Sequence, residues 1–280
     1  MATSTLSHHA IDGALGEILV DVRAGSRRVP QPAVLLVHGF KGFKDYAFLP
    51  VFAEQLARAG FVAITASVSG AGVDADGEFT RPDRFRRNTY TRELDDLHRV
   101  VGAVGRGELD VAPPMALGVV GHSRGGGMAI LLASECPEVG AVVTWSAIGR
   151  ARRHSEAQLT AWREAGSIEV PHARLGIRLP LDYEVAADCL AHESGRLDIA
   201  GAASMLGRPW LQVHGTLDET VPFEEAEALG RAGDASHHAF LAIEGAGHTY
   251  GAAHPWAGST PALDQLFGAT RSFLGSHLAP

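Results

Sequence analysis

The chain has 280 residues, 46% hydrophobic and 20% charged, enough for one large α/β core or two smaller ones and too apolar for a disordered polymer. A formal charge of −8 argues against a general nucleic-acid binder, which needs a basic face to meet phosphates. The two cysteines, Cys136 and Cys189, are too few for a paired-CxxC zinc site or a disulfide framework.

The stretch "MATSTLSHHAIDGALGEIL" has no basic start followed by a continuous apolar run, so no secretory signal is expected. No apolar run is long enough to span a bilayer, and a soluble cytoplasmic protein is the expectation. His8 and His9 read as part of a frayed end. "GEILVDVR" (Gly16 to Arg23) reads as an antiparallel edge strand.

From there the chain alternates strand and helix. "AVLLVHG" (Ala33 to Gly39) is a short apolar run ending in glycine, the pattern of a strand buried on both faces. A helix follows over Tyr46 to Gly60, then a strand over Phe61 to Ala66 and a helix over Asn88 to Val104. "MALGVVG" (Met115 to Gly121) is a strand, and "GGMAILLASEC" (Gly126 to Cys136) a helix. Further strands are expected over Gly140 to Ala147, Pro209 to Gly215 and His237 to Gly245, with helices over Pro222 to Ala232 and Pro261 to His277. This rhythm implies an α/β fold: a mostly parallel sheet with right-handed crossovers and helices on both faces. It breaks between Gly149 and Arg208, where "SIEVPHARLGIRLPLDY" alternates like a small hairpin. The expected organisation is therefore a core of residues 1–148 and 209–280, with residues 149–208 inserted over the sheet as a lid.

"GHSRG" (Gly121 to Gly125), between a strand and a helix, fits G-x-S-x-G. In that arrangement a serine sits on a sharp turn, and small residues two before and two after it make room for the backbone. A hydroxyl becomes a nucleophile only when a base takes its proton, and a third group must orient the base. The acid should come next in the chain and the histidine last. Asp218, in "TLDETVP", is the candidate acid, ahead of its neighbour Glu219, and His248, in "AGHTYG", is the candidate base. Each follows a strand, and parallel strands deliver such loops to one edge of the sheet. Backbone N–H groups of Phe40, in "HGFKG", and Arg124, directly after the serine, are the expected oxyanion donors.

His122, His38 and His214 read as packing or hydrogen-bonding groups, and His254 as a brace for the loop of His248. No HxH or HExxH pairing occurs, so neither a metal nor another cofactor is expected. "SGAGVDADGEF" (Ser69 to Phe79) lacks EF-hand spacing and reads as a surface loop near the site.

In order, "HGFKG", "SGAGVDADGEF", "GHSRGG", "HGTLDETVP" and "GAGHTYG" resemble the α/β-hydrolase superfamily, and within it bacterial cinnamoyl and feruloyl esterase-like and dienelactone-hydrolase-like enzymes. The resemblance implies an α/β-hydrolase fold with a small lid after the sixth strand that helps form the acyl pocket. Segment 149–208 differs from lids that recognise aromatic acids. Related dienelactone hydrolases usually carry a cysteine nucleophile, so Ser123 points away from them.

The function expected is serine-dependent cleavage of a small-molecule carboxylic ester through an acyl-enzyme, without nucleic acid or membrane partner. The oligomeric state stays open, a homodimer included. Two alternatives remain: a peptidase or amidase of the prolyl-oligopeptidase type, and a catalytically silent binding protein on a hydrolase scaffold.

Overall fold

The structure, a computed structural model, describes residues 4–172 and 176–278. Its strands are β1 (Thr5–Gly13), β2 (Gly16–Ala24), β3 (Ala33–Val37), β4 (Val62–Ser67), β5 (Leu117–His122), β6 (Val139–Trp145), β7 (Ser167–His172), β8 (Ile177–Asp182), β9 (Trp210–Gly215) and β10 (His238–Ile243). The helices are α1 (Leu49–Arg58), α2 (Pro82–Phe85), α3 (Tyr90–Gly105), α4 (Arg124–Glu135), α5 (Glu156–Ala165), α6 (Tyr183–His192), α7 (Ile199–Ser204), α8 (Phe223–Ala232) and α9 (Pro261–Leu278).

Eight strands form one sheet in the order β1-β2-β4-β3-β5-β6-β9-β10. From β4 to β10 all neighbours run parallel, while β2 is antiparallel to β4 and β1 to β2. This is the α/β-hydrolase fold, mostly parallel with helices on both faces. The central strands β3, β4, β5 and β9 are buried along their whole length, as their unbroken apolar runs require. One face packs against α1 and α9 through Phe52, Leu56, Leu266 and Phe267; the other packs against α3 and α4 through Leu94, Leu97, Met128 and Leu131.

Three local readings need correction. His8 and His9 lie in β1, which pairs with β2 over its full length, so β1 and not β2 is the sheet edge. β1 escapes notice because its apolar residues Leu6, Ala10 and Ile11 are scattered among polar ones and give no apolar run. Helix α1 starts at Leu49, three residues later than its periodicity implies, because Ala47 has φ +48° and Pro50 fits the first turn. The glycine-rich stretch from Ser69 is a surface loop only in its second half. Ser69 and Ala71 are buried, and the exposed turn begins at Asp74, whose carboxylate accepts the N–H groups of Asp76 and Glu78.

Between β6 and β9 the chain leaves the sheet. Helices α5 and α6 and the β7–β8 hairpin share a small core of Phe85, Leu159, Trp162, Leu179, Leu181 and Val185. The hairpin expected from alternation is present, and its tip, residues 173–175, lies outside the described residues. Ser155 and Gln158 cap α5 reciprocally, and the Trp162 indole donates to the Leu181 carbonyl at 3.1 Å, which ties helix to hairpin. Helix α7 instead lies on α4 and α8, with Ile199 and Ala203 in the main core.

Candidate active site

Parallel pairing aligns the C-terminal ends of β3, β5 and β6, with Val37 opposite Gly121 and Gly121 opposite Thr144. The chain leaves β5 at His122 and enters α4 at Arg124, so Ser123 alone makes the corner. Its backbone has φ 58° and ψ −120°, a strained region for a residue with a side chain. The corner is pinned: Ser123 N–H donates to the Trp145 carbonyl at 2.8 Å, and the Ser123 carbonyl accepts from Gly126 at 3.0 Å and Ile148 at 3.2 Å. A Cβ on Gly121 would lie 2.0 Å from the Gly125 carbonyl oxygen, and one on Gly125 would lie 2.4 Å from that of His38. Those two approaches explain why both positions are glycine.

The candidate acid and base come from the loops after β9 and β10. His248 Nδ1 is 2.9 Å from Asp218 Oδ2 and 3.1 Å from Oδ1. The same carboxylate accepts the N–H groups of Thr220 and Val221, both at 2.9 Å, which fixes its plane. Burial alone would raise the Asp218 pKa. The hydrogen bond and charge of His248, with those two N–H groups, outweigh it and hold the pKa at about 2. Glu219 is exposed and Asp218 is buried, which separates the two adjacent acids.

Ser123 and His248 line one cleft of about 480 Å³ with Phe40, Lys41, His172 and Thr220. Among the described residues no hydrogen bond joins the Ser123 hydroxyl to the imidazole, whose hydrogen bonds go to Asp218. Arg124 is the first residue of α4, so its N–H has no intrahelical acceptor and faces the site with the positive end of the helix dipole. The loop bearing Phe40 turns back on itself, Gly42 N–H to Gly39 carbonyl at 2.9 Å, with Lys41 at φ 65°.

The neighbouring histidines brace these loops. His38 Nδ1–H donates to the Gly39 carbonyl at 2.8 Å and Nε2 accepts the Val68 N–H at 3.3 Å, a pairing that only a neutral ring can make. Burial, with a smaller push from the Arg124 charge, lowers its pKa to about 4. His122 donates from Nε2 to the His248 carbonyl at 3.0 Å, and burial followed by the charge of His248 lowers its pKa to about 3. His214 donates to the Val221 carbonyl at 2.9 Å beside Asp218. His254 accepts the Ala47 N–H at 3.0 Å, so it braces the loop before α1.

Two features escaped sequence reasoning. Lys41 Nζ donates to the Pro171 carbonyl at 2.6 Å, linking the Phe40 loop to the β7–β8 hairpin. The Arg124 guanidinium is buried, paired with Glu93 at 3.0 Å and stacked between the rings of Phe40 at 4.3 Å and Tyr90 at 4.2 Å. No spacing rule connects Glu93 with Arg124. The one signal was Glu93 lying on the same helical face as Leu94 and Leu97, at a turn where a carboxylate needs a partner.

The dienelactone hydrolase family model matches residues 20–164, just over half of the chain, from within β2 through the Ser123 corner into α5. The chain belongs to the dienelactone hydrolase family. That membership overrides the reading in which a serine at position 123 points away from these hydrolases. No curated protein matches the chain. Among solved structures, this hydrolase is similar to Est1E of Butyrivibrio proteoclasticus bound to ferulic acid: 19% identity, TM-score 0.71, 97% of this chain and 100% of that one. A hydrolase structure from Agrobacterium vitis gives 19% identity and TM-score 0.74 over 96% of this chain and 99% of that one. A puromycin-hydrolysing peptidase of Mycobacterium tuberculosis gives 19% identity and TM-score 0.67 over 99% of this chain but 40% of that one. At these identities the likeness is one of fold.

Among the described residues no helix is long and apolar enough to cross a membrane, and no three His, Cys, Asp or Glu side chains cluster as a metal site.

Proposed function

We propose that this hydrolase cleaves carboxylic esters through an acyl-enzyme on Ser123. The supporting observation is the bifurcated approach of His248 Nδ1 to the buried Asp218 carboxylate, at 2.9 and 3.1 Å, with His248 lining the cleft that Ser123 also lines. Asp218 fixes the tautomer in which Nδ1 carries the proton, leaving Nε2 as the base. Nε2 takes the hydroxyl proton as Oγ bonds to the ester carbonyl carbon, and the carbonyl oxygen becomes an oxyanion. The backbone N–H groups of Phe40 and Arg124 receive that charge. Collapse breaks the bond to the alkoxy oxygen, which leaves with the proton from His248. Water then repeats the sequence: its proton goes to His248, its oxygen to the acyl carbon, and Ser123 is released with the proton returned.

Residues 149–208 act as a lid over the acyl side of this site, held to the Phe40 loop by Lys41. The peptidase reading has less support, because the similar peptidase is more than twice as long as the segment this chain covers. The test is Ser123→Ala with p-nitrophenyl butyrate. A folded variant by circular dichroism should lose turnover by on the order of 10⁴-fold or more. Turnover that survives the substitution would refute the assignment. Matched ester and anilide substrates separate esterase from amidase, with the ester expected to be the faster.

A further inference from the structure

Beyond Phe40 and Arg124, on the side away from His248, lies a second space of about 150 Å³ beneath the cap. Its walls are largely apolar, with Leu159, Trp162, Leu181, Val185 and Ala186 among them. His248 must hand a proton to the departing alcohol, so the alcohol belongs in the open cleft that His248 lines. The acyl group is then left with the closed space against the two oxyanion residues. A cavity of this order admits one six-membered ring or a chain of comparable bulk, and no long acyl chain.

One wall of this pocket is polar. The Arg124 side chain is more than nine-tenths buried, at 9% exposure, and both rings that sandwich it, Phe40 and Tyr90, also line the pocket. Its Nη1 donates to Glu93 Oε1 at 3.0 Å. Among the described residues its other N–H groups meet no protein acceptor, and they are not among the sealed polar atoms, so this edge borders open space. A buried guanidinium has five donors, and donors left without acceptors are costly. The pocket therefore asks its occupant for an oxygen.

Charge decides which kind. Glu93 already balances Arg124, and Asn88 donates to Glu93 at 2.6 Å, so the pair is closed and neutral. Arg152 and Arg153 at the far wall have their own carboxylates, Glu193 at 3.3 Å for the first and Glu225 for the second. An added carboxylate would be an uncompensated charge beside Glu93 in an apolar pocket. A neutral acceptor meets the free donors without that penalty.

Building on the ester-hydrolase reading, we infer that this pocket selects a compact acyl group, of about six carbons, bearing a neutral acceptor oxygen such as a ketone. Arg124 recognises that oxygen through its side chain, separately from the oxyanion role of its backbone.

The test compares three esters of one acyl length: ethyl hexanoate, ethyl 5-oxohexanoate and monoethyl adipate. The oxo ester should exceed the plain ester in kcat/KM by on the order of tenfold, the worth of one hydrogen bond to a charged group, and the adipate should fall below both. In Arg124→Met the ratio of oxo to plain ester should approach one, whatever the absolute rates. Equal rates for these two esters in the wild-type enzyme, or adipate as the best of the three, would overturn the inference while leaving ester hydrolysis standing. No turnover of any ester would remove the ester reading and the inference together. The wild-type ratio suffices if Arg124→Met fails to fold.

Discussion

Asp218 and His248 show how a single side chain acquires its role from its surroundings. The carboxylate is buried, yet the imidazole and two backbone N–H groups hold its pKa at about 2. It therefore stays ionised at neutral and mildly acidic pH, so an acid limb of the activity profile at about pH 5 to 7 is not its titration. Asp218→Asn keeps the shape and offers the wrong hydrogen-bonding partner to Nδ1. Its kcat should fall on the order of 10⁴-fold with KM little changed, measured by steady-state ester hydrolysis. A loss below tenfold would mean that Asp218 does not orient the base. At this scale the sequence carried a clear pattern: Ser123, Asp218 and His248 each follow an apolar run that ends in glycine, and in the fold Ser123 and His248 line one cleft while buried Asp218 bonds to His248. It did not name the partners of Glu93, Tyr90 and Trp162, because contacts between distant elements leave no periodic trace in a single chain.

The corner at Ser123 is an element-scale device. Ser123 holds its unfavourable φ of 58° because β5, α4 and the Trp145 carbonyl fix both sides of the turn. The approach of Gly121 to the Gly125 carbonyl, 2.0 Å for a hypothetical Cβ, means that any side chain must push the strand and helix apart. Gly121→Ala should thus cost about 3 kcal/mol or more in stability, and should lower activity even in the fraction that folds. Urea unfolding and turnover per folded molecule are the two readouts. A variant with wild-type stability would contradict the close approach. The strands and helices of the sheet were legible because their apolar runs are long and punctuated. Strand β1 was not, since it is an exposed edge whose stability comes from pairing with β2.

Across the whole molecule, several buried groups couple folding to pH. His38 and His122 have pKa values of about 4 and 3 against an ordinary 6.5, so the unfolded chain takes up protons that the folded protein refuses. Their contribution is complete above pH 6.5 and drains away as pH falls toward 4 and 3. Glu93 and Asp96 act in the opposite sense, because burial raises their pKa values. The His122 share can be isolated by substitution. The Tm gap between wild type and His122→Gln should narrow from pH 7 to pH 4, since the variant has no imidazole to protonate. A gap that stays constant would mean His122 is not held neutral. The mostly parallel sheet and its two packed faces follow from the strand-helix alternation. Segment 149–208 differs: its alternating stretch announced a hairpin, but its seating on the Phe40 loop depends on Lys41 reaching Pro171, which pattern alone does not encode.

The most direct measurement is stoichiometric labelling with a fluorophosphonate, followed by peptide mass analysis. A serine activated by His248 should accept one equivalent at Ser123, with ester turnover lost in proportion, and His248→Ala should abolish labelling. Unlabelled Ser123 in an enzyme that still cleaves esters, or an adduct on a different residue, would contradict it.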